Sequence, residues 1–164
     1  MDFVYDDGGR KAAGRRGQAD DCVVRAIAIA MQRKYSEVYD AINETAKAER
    51  YMRGRIGLLA ATGRGSSART GVHKPTYKTF LSESGWVWTP TMQIGAGCRV
   101  HLRADELPTG RLIVSVSRHL VAVIDGSKLI ATSNHADVLD AVAKIGRSAI
   151  LLVDRKADSV IIYL

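Results

Sequence analysis

The pattern of apolar residues changes at Gly85, and this change constrains the fold more than any other feature of the sequence. Before Gly85, apolar residues recur at helical spacing, as in residues 21–33 and 36–53. After Gly85, short segments rich in β-branched residues alternate with turn signals. Helices followed by strands predict an α+β fold, with N-terminal helices packed on a C-terminal antiparallel β-sheet, and not alternating βαβ units.

The 164 residues are expected to form a single domain, residues 1–164. Residues 1–17 are predicted to be irregular, and residues 54–72 to form a long glycine-rich loop with a short helical turn at 58–61. A third helix is predicted from Pro75, with Gly85 as its C-cap. Residues 137–146 fit a helix or a loop. The predicted strands are WVWTP, CRVHL, GRLIVSVS, HLVAVID, KLIATSN, SAILLVD and SVIIYL.

The chain is basic, with a net charge of +7 and an isoelectric point near 9.6. The cations concentrate between Arg10 and Arg16 and between Lys47 and Lys78. Clustered cations favour a nucleic acid or another acidic partner, because binding releases counterions. A solvated basic surface without a ligand is the competing interpretation.

The two cysteines, Cys22 and Cys98, do not form a CxxC pair, which is typical of a protein from a reducing compartment. The N-terminal segment MDFVYDDGGRKAAGRRG has no apolar signal core. No stretch approaches the roughly 20 apolar residues that a membrane span needs. We therefore expect a cytoplasmic protein with no membrane partner. A structural or incidental role is favoured for Cys98.

Cys22 lies where the first helix is predicted to begin. Asp20 or Asp21 is the candidate N-cap, so the thiol falls in the first helical turn, where unpaired N–H groups favour a thiolate. The two aspartates act in the opposite direction, since nearby negative charge raises the pKa of a thiol. A nucleophile in this setting needs a histidine partner. The alternative is that Cys22 is a small buried apolar residue.

His119 is the candidate partner because it stands between two strongly apolar strand segments, in VSVSRHLVAVIDG. The following Asp125-Gly126 predicts a hairpin turn. A two-residue loop sets His119 opposite Thr132, and a four-residue loop sets it opposite Asn134; either register predicts all three on one face. Asn134 could then orient the imidazole through its carbonyl oxygen. The other histidines are His73, His101 and His135.

Gln18 is the candidate for a second oxyanion donor. Its side-chain amide could act with the Cys22 backbone N–H on a developing negative charge. An ordinary loop residue is the competing interpretation. Trp86 and Trp88, which alternate on one face, fit either a substrate groove or, more strongly, a half-buried core.

The sequence favours no bound metal or cofactor. The thiols and histidines lack the spacing of a zinc site. The segment GRGSSARTG lacks the lysine of a P-loop, and IGAGC lacks the third glycine of a dinucleotide site.

The order of these residues resembles that of papain-like cysteine peptidases: a glutamine, a cysteine that opens a buried helix, a distant histidine that begins a strand, and an Asn or Asp on the next strand. The segments DCVVRAIAIA, RTGVHKPTYKTFLSESGW and VHLRADELPTGRLIVSVSRHLVAVIDG are similar to small phage and prophage proteins of that fold. The similarity covers residues 20–126. After Gly126, where those proteins continue with His-Asp-Thr, this chain has LIATSN.

The resemblance implies a thiol hydrolase, either a cysteine peptidase or a related amide-cleaving enzyme, that acts on a protein or peptide. It implies Cys22 as nucleophile and His119 as base, with Gln18 and Asn134 in supporting roles. The alternative is a catalytically silent papain-like scaffold whose basic surface binds a host protein or nucleic acid.

Overall fold

The computed structural model describes most of the N-terminal half of the chain and the central strands of the C-terminal half. The residues that it describes are 2–55, 65–90, 92–93, 97–98, 105–116, 119–126, 128–131 and 150–153.

Three helices lie in these described residues: α1 (Cys22–Met31), α2 (Tyr35–Arg55) and α3 (Lys74–Glu83). The predicted helices are confirmed with small shifts at their ends. Helix α1 is buried on most sides, and Val24 and Ile27 are fully buried. It packs on both α2 and the sheet, while α2 packs on α3. The apolar stripe on α1 therefore fixes Cys22 at the junction of the helices and the sheet.

The described strands form one six-stranded sheet and a separate two-stranded one. The large sheet has the order β1-β7-β6-β5-β8-β2. At its centre β5 and β6 pair antiparallel, with Ile113 opposite Ala122. Consecutive residues of both strands are buried, so both faces of the sheet centre are covered. The strands are β1 (Asp2–Tyr5), β2 (Val87–Pro90), β3 (Met92–Gln93), β4 (Gly97–Cys98), β5 (Arg111–Val116), β6 (His119–Ile124), β7 (Lys128–Ala131) and β8 (Ile150–Val153).

Two predictions about the chain's irregular segments were wrong. Residues 1–17 are not irregular throughout, because Asp2–Tyr5 form β1 and pair parallel with β7 at the sheet edge. The sheet is therefore mixed and not purely antiparallel. The predicted loop 54–72 begins too early, because α2 continues to Arg55. A four-residue strand whose side chains are all exposed carries no alternation that a sequence could show.

The end of α3 sets the direction of β2. The Trp86 N–H donates to the Leu81 carbonyl at 2.9 Å, and the Gly85 N–H donates to the Ser82 carbonyl at 3.0 Å. Gly85 has a φ of +83°. This is a Schellman motif in which Ser84 is the C-cap and Gly85 follows it, so Gly85 ends the helix as predicted but one residue after the C-cap. Trp86 is buried just after the turn, and Trp88 is half-buried on β2.

Some predicted features lie outside the described residues. They are the helical turn at 58–61, the segment 137–146, most of CRVHL and the strand SVIIYL. Among the described helices, none is both long enough and apolar enough to cross a membrane.

Candidate active site

Cys22 is the first residue of α1 and is half-buried against the sheet. Backbone N–H groups of Leu120 on β6 and of Val23 face its sulfur as hydrogen-bond donors. Burial raises the pKa of the Cys22 thiol above its usual value, and these two N–H groups oppose that shift only in part. The helix terminus therefore supplies donors for a thiolate, but the resting group is a neutral thiol.

His119 is the first residue of β6 and pairs with Val116 of β5. It directly precedes Leu120, whose N–H faces the Cys22 sulfur. The fold thus brings the two sequence-predicted residues, Cys22 and His119, to the same junction of α1 and β6. The His119 Nδ1 is buried and has no hydrogen-bond partner among the described residues. A ring nitrogen in this state is free to accept or donate a proton at the site.

Asp21 occupies the N-cap position of α1, but its carboxylate makes no capping hydrogen bond. The carboxylate is fully buried and binds three side chains. One comes from the N-terminal segment, one from α1 and one from α2. Arg10 Nε lies 2.7 Å from Oδ2, the Tyr35 hydroxyl donates to Oδ2 at 2.7 Å, and Arg25 donates to Oδ1. The sequence did not predict this network, because nothing in the spacing links residues 10, 21 and 35.

The network also changes the electrostatic expectation for the thiol. From the sequence, the aspartates were expected to raise the pKa of Cys22. In the structure burial is the largest cause of that shift, Asp21 adds a smaller one, and Arg25 lowers the pKa. Arg25 offsets part of the effect of Asp21 on the pKa of Cys22, so desolvation is the main cause that keeps the thiol protonated.

Tyr77 of α3 is a site residue that sequence reasoning missed. It is buried, and burial raises the pKa of its hydroxyl; Ser115 of β5 lowers that pKa through a hydrogen bond, and the neighbouring Cys22 raises it. Tyr77 therefore stays protonated beside the thiol and is available as a hydrogen-bond donor. Its spacing to Phe80 and Leu81 predicts only a shared helix face.

The predicted supporting residues are not brought to the site by the described part of the structure. Gln18 is exposed, and no hydrogen bond joins it to Cys22 among the described residues. Asn134 and Thr132 lie outside the described residues, as does the side chain of Cys98. The predictions for Gln18 and Asn134 therefore remain predictions.

Both predicted registers of the hairpin after His119 were wrong. Ile124 pairs with Lys128, so three residues connect β6 and β7. Asp125 and Gly126 both have positive φ, of 51° and 63°. A shift of one residue moves every side chain of a strand to the other face. The observed pairing of Ile124 with Lys128 therefore supports neither Asn134 nor Thr132 as the partner of His119.

The segment that follows residues 56–64 is hydrogen-bonded to the residues around the start of α1 and to α2. The Asp20 N–H donates to the Arg69 carbonyl at 2.9 Å, and the Ala68 N–H donates to the Asn43 side chain at 3.0 Å. Ala68 is fully buried. The end of the glycine-rich region is thus fixed against α1 and α2, next to Cys22.

The described residues contain no group of three His, Cys, Asp or Glu side chains placed to hold a metal ion. Comparisons with protein-family models, with curated proteins and with solved structures find no match to this chain.

Proposed function

We propose that the protein is a papain-like thiol hydrolase that cleaves an amide bond in a protein or peptide substrate. The observation that carries the proposal is the contact between the Cys22 sulfur and the N–H of Leu120, the residue that follows His119. A cysteine at a helix N-terminus, packed on the strand that a histidine begins, is the arrangement that the resemblance to papain-like enzymes implies.

The raised pKa of Cys22 decides the form of the mechanism. Since the thiol is neutral at rest, His119 acts as a general base and removes the Sγ proton as the sulfur attacks the carbonyl carbon. The N–H groups of Val23 and Leu120 stabilise the thiolate that forms. His119 then returns the proton to the leaving amine, and water hydrolyses the thioester.

The pH dependence of Cys22 alkylation by iodoacetamide tests this pair. A neutral thiol–imidazole pair and its thiolate–imidazolium form carry the same number of protons, so their ratio does not depend on pH. We therefore expect the wild-type rate to reach a level that does not change with pH below the raised pKa of the Cys22 thiol. In His119→Ala the rate should instead fall about tenfold per pH unit below the pKa of the thiol.

Two variants control this experiment. Cys98→Ser removes the second thiol from the background, and His73→Ala removes an exposed histidine at the start of α3. The His73 variant should retain the wild-type profile. A wild-type rate that falls tenfold per pH unit over the whole range, as in His119→Ala, would exclude the catalytic pair.

The raised pKa of Cys22 also favours the second candidate, a catalytically silent scaffold. In that case the thiol is a buried apolar contact, and the basic surface binds a host protein or nucleic acid. Affinity that falls steeply with salt, together with an alkylation profile that is unaffected by His119, would identify this second function.

A further inference from the structure

Two lysines lie over one aromatic ring at the edge of α3. The Lys78 Nζ is 4.1 Å from the centroid of the Trp88 ring, and the Lys74 Nζ is 5.2 Å from it. The two residues lie one turn apart on α3, and Trp88 lies on β2. No salt bridge joins either lysine to a carboxylate within the part of the chain that the structure describes.

Within the described residues, this arrangement holds two positive charges together without a carboxylate partner. The indole face attracts each ammonium group, but the two groups repel each other. Burial and the charge of Lys74 both lower the pKa of Lys78. An anion bound between the two groups would remove the repulsion, which makes the lysines and Trp88 a recognition surface for negative charge.

Tyr77 connects this surface to the candidate active site. Its ring centroid lies 6.3 Å from that of Trp88. Its hydroxyl is influenced by both Ser115 and Cys22. The side chain of Tyr77 therefore reaches from the Trp88 ring to the neighbourhood of the thiol. A peptide with its scissile bond at Cys22 could place a nearby residue over Trp88.

We propose that Lys74, Lys78 and Trp88 form a subsite for a carboxylate of the substrate, so that acidic peptides are the substrate class. This inference rests on the proposed hydrolase function. The ammonium groups bind an Asp or Glu side chain, or a C-terminal carboxylate, as point charges. The ring holds both lysine side chains in place, which reduces the entropy that they lose when the peptide binds.

Binding of triglutamate tests the subsite without chemistry, in a Cys22→Ser background and with tryptophan fluorescence as the readout. Triglutamine is the neutral probe. We expect triglutamate to bind more tightly than triglutamine, and Lys74→Ala/Lys78→Ala to weaken triglutamate binding about tenfold or more, since each tenfold corresponds to about 1.4 kcal/mol. Lys74→Arg/Lys78→Arg keeps the charges and should retain at least part of the binding.

The matched control is Lys34→Ala/Lys47→Ala, which removes the same charge from two exposed lysines that lie outside α3. Equal triglutamate affinity in the two alanine double variants would overturn the subsite, as would equal binding of triglutamate and triglutamine. Binding of a thymidine oligonucleotide, but not triglutamate, through Lys74 and Lys78 would also overturn it and assign the surface to phosphate.

The two proposals fail separately. The triglutamate experiment uses a chain without the nucleophile, so its result does not depend on His119. The alkylation profile uses a neutral reagent, so its result does not depend on the lysines. One mixed result is triglutamate binding through the lysines together with a wild-type alkylation rate that changes with pH throughout. That result would overturn the hydrolase function and, with it, the assignment of the surface as a substrate subsite.

Discussion

Asp21→Asn is expected to lower the free energy of unfolding by about 3 kcal/mol, because it removes a buried carboxylate that pairs with two partly buried guanidinium groups. The side chains of Arg10 and Arg25 are only 14% and 12% exposed, and Asp21 is fully buried. Removal of one partner from a buried ion pair costs about 3–5 kcal/mol. Because water partly solvates both arginines, the expected loss of unfolding free energy for Asp21→Asn lies at the lower end of this range.

Urea denaturation followed by circular dichroism measures this loss. Asp20→Asn is the matched control, because Asp20 is the exposed neighbour whose side chain makes no ion pair in the described residues. Its effect should remain within about 0.5 kcal/mol. Tyr35→Phe removes one hydrogen bond to Asp21 and should cost about 1 kcal/mol.

A double-mutant cycle isolates the ion pair itself. In Arg10→Gln the loss of unfolding free energy caused by Asp21→Asn should be smaller, because only one arginine then loses its ion pair with this carboxylate. A loss below about 1 kcal/mol for Asp21→Asn in the wild-type background would contradict a structural role for the network.

The sequence predicts the elements that carry a strong period and fails on contacts between distant segments. Helix α1 was predicted because Val24 and Ile27 recur on one face, and β5 and β6 because their apolar runs are bounded by turn signals. The same periods placed Cys22 at a helix start and His119 at a strand start, and both positions are confirmed.

The register of β6 and β7 could not be predicted, because it depends on the backbone dihedral angles of one turn. Asp125-Gly126 fits loops of several lengths, and only the observed pairing of Ile124 with Lys128 selects three residues. The network of Asp21 and the surface over Trp88 were also missed. Both join residues from different elements of the fold, and no sequence motif links those residues.

The N-terminal segment is more important to the site than its irregular sequence indicated. It carries Arg10 to the carboxylate of Asp21, directly before Cys22. Arg10 also donates to the carbonyl of Gly17 at 2.7 Å, which closes the segment on itself. The start of α1 is thus held from outside the helix, in place of a side-chain cap.

Gly8→Ala is expected to lower the free energy of unfolding by about 3 kcal/mol, because the segment passes too close to α1 for any side chain. Gly8 has a φ of +62°, and an added Cβ would lie 2.9 Å from the Cα of Arg25 and 3.0 Å from its carbonyl oxygen. Left-handed backbone costs about 1–2 kcal/mol for alanine. The overlap with helix backbone adds about 1–3 kcal/mol, since those atoms cannot rotate away.

Gly14→Ala separates the two costs. Gly14 has a φ of +71°, but an added Cβ would meet no atom within 4 Å. Its loss should therefore be only the backbone cost, about 1 kcal/mol. Equal losses of unfolding free energy for Gly8→Ala and Gly14→Ala in urea denaturation would show that Gly8 does not pack closely against α1. In Arg10→Ala, where the segment has lost its ion pair with Asp21, Gly8→Ala should cost less than in the wild type, because a segment that is already loosened can move away from the helix.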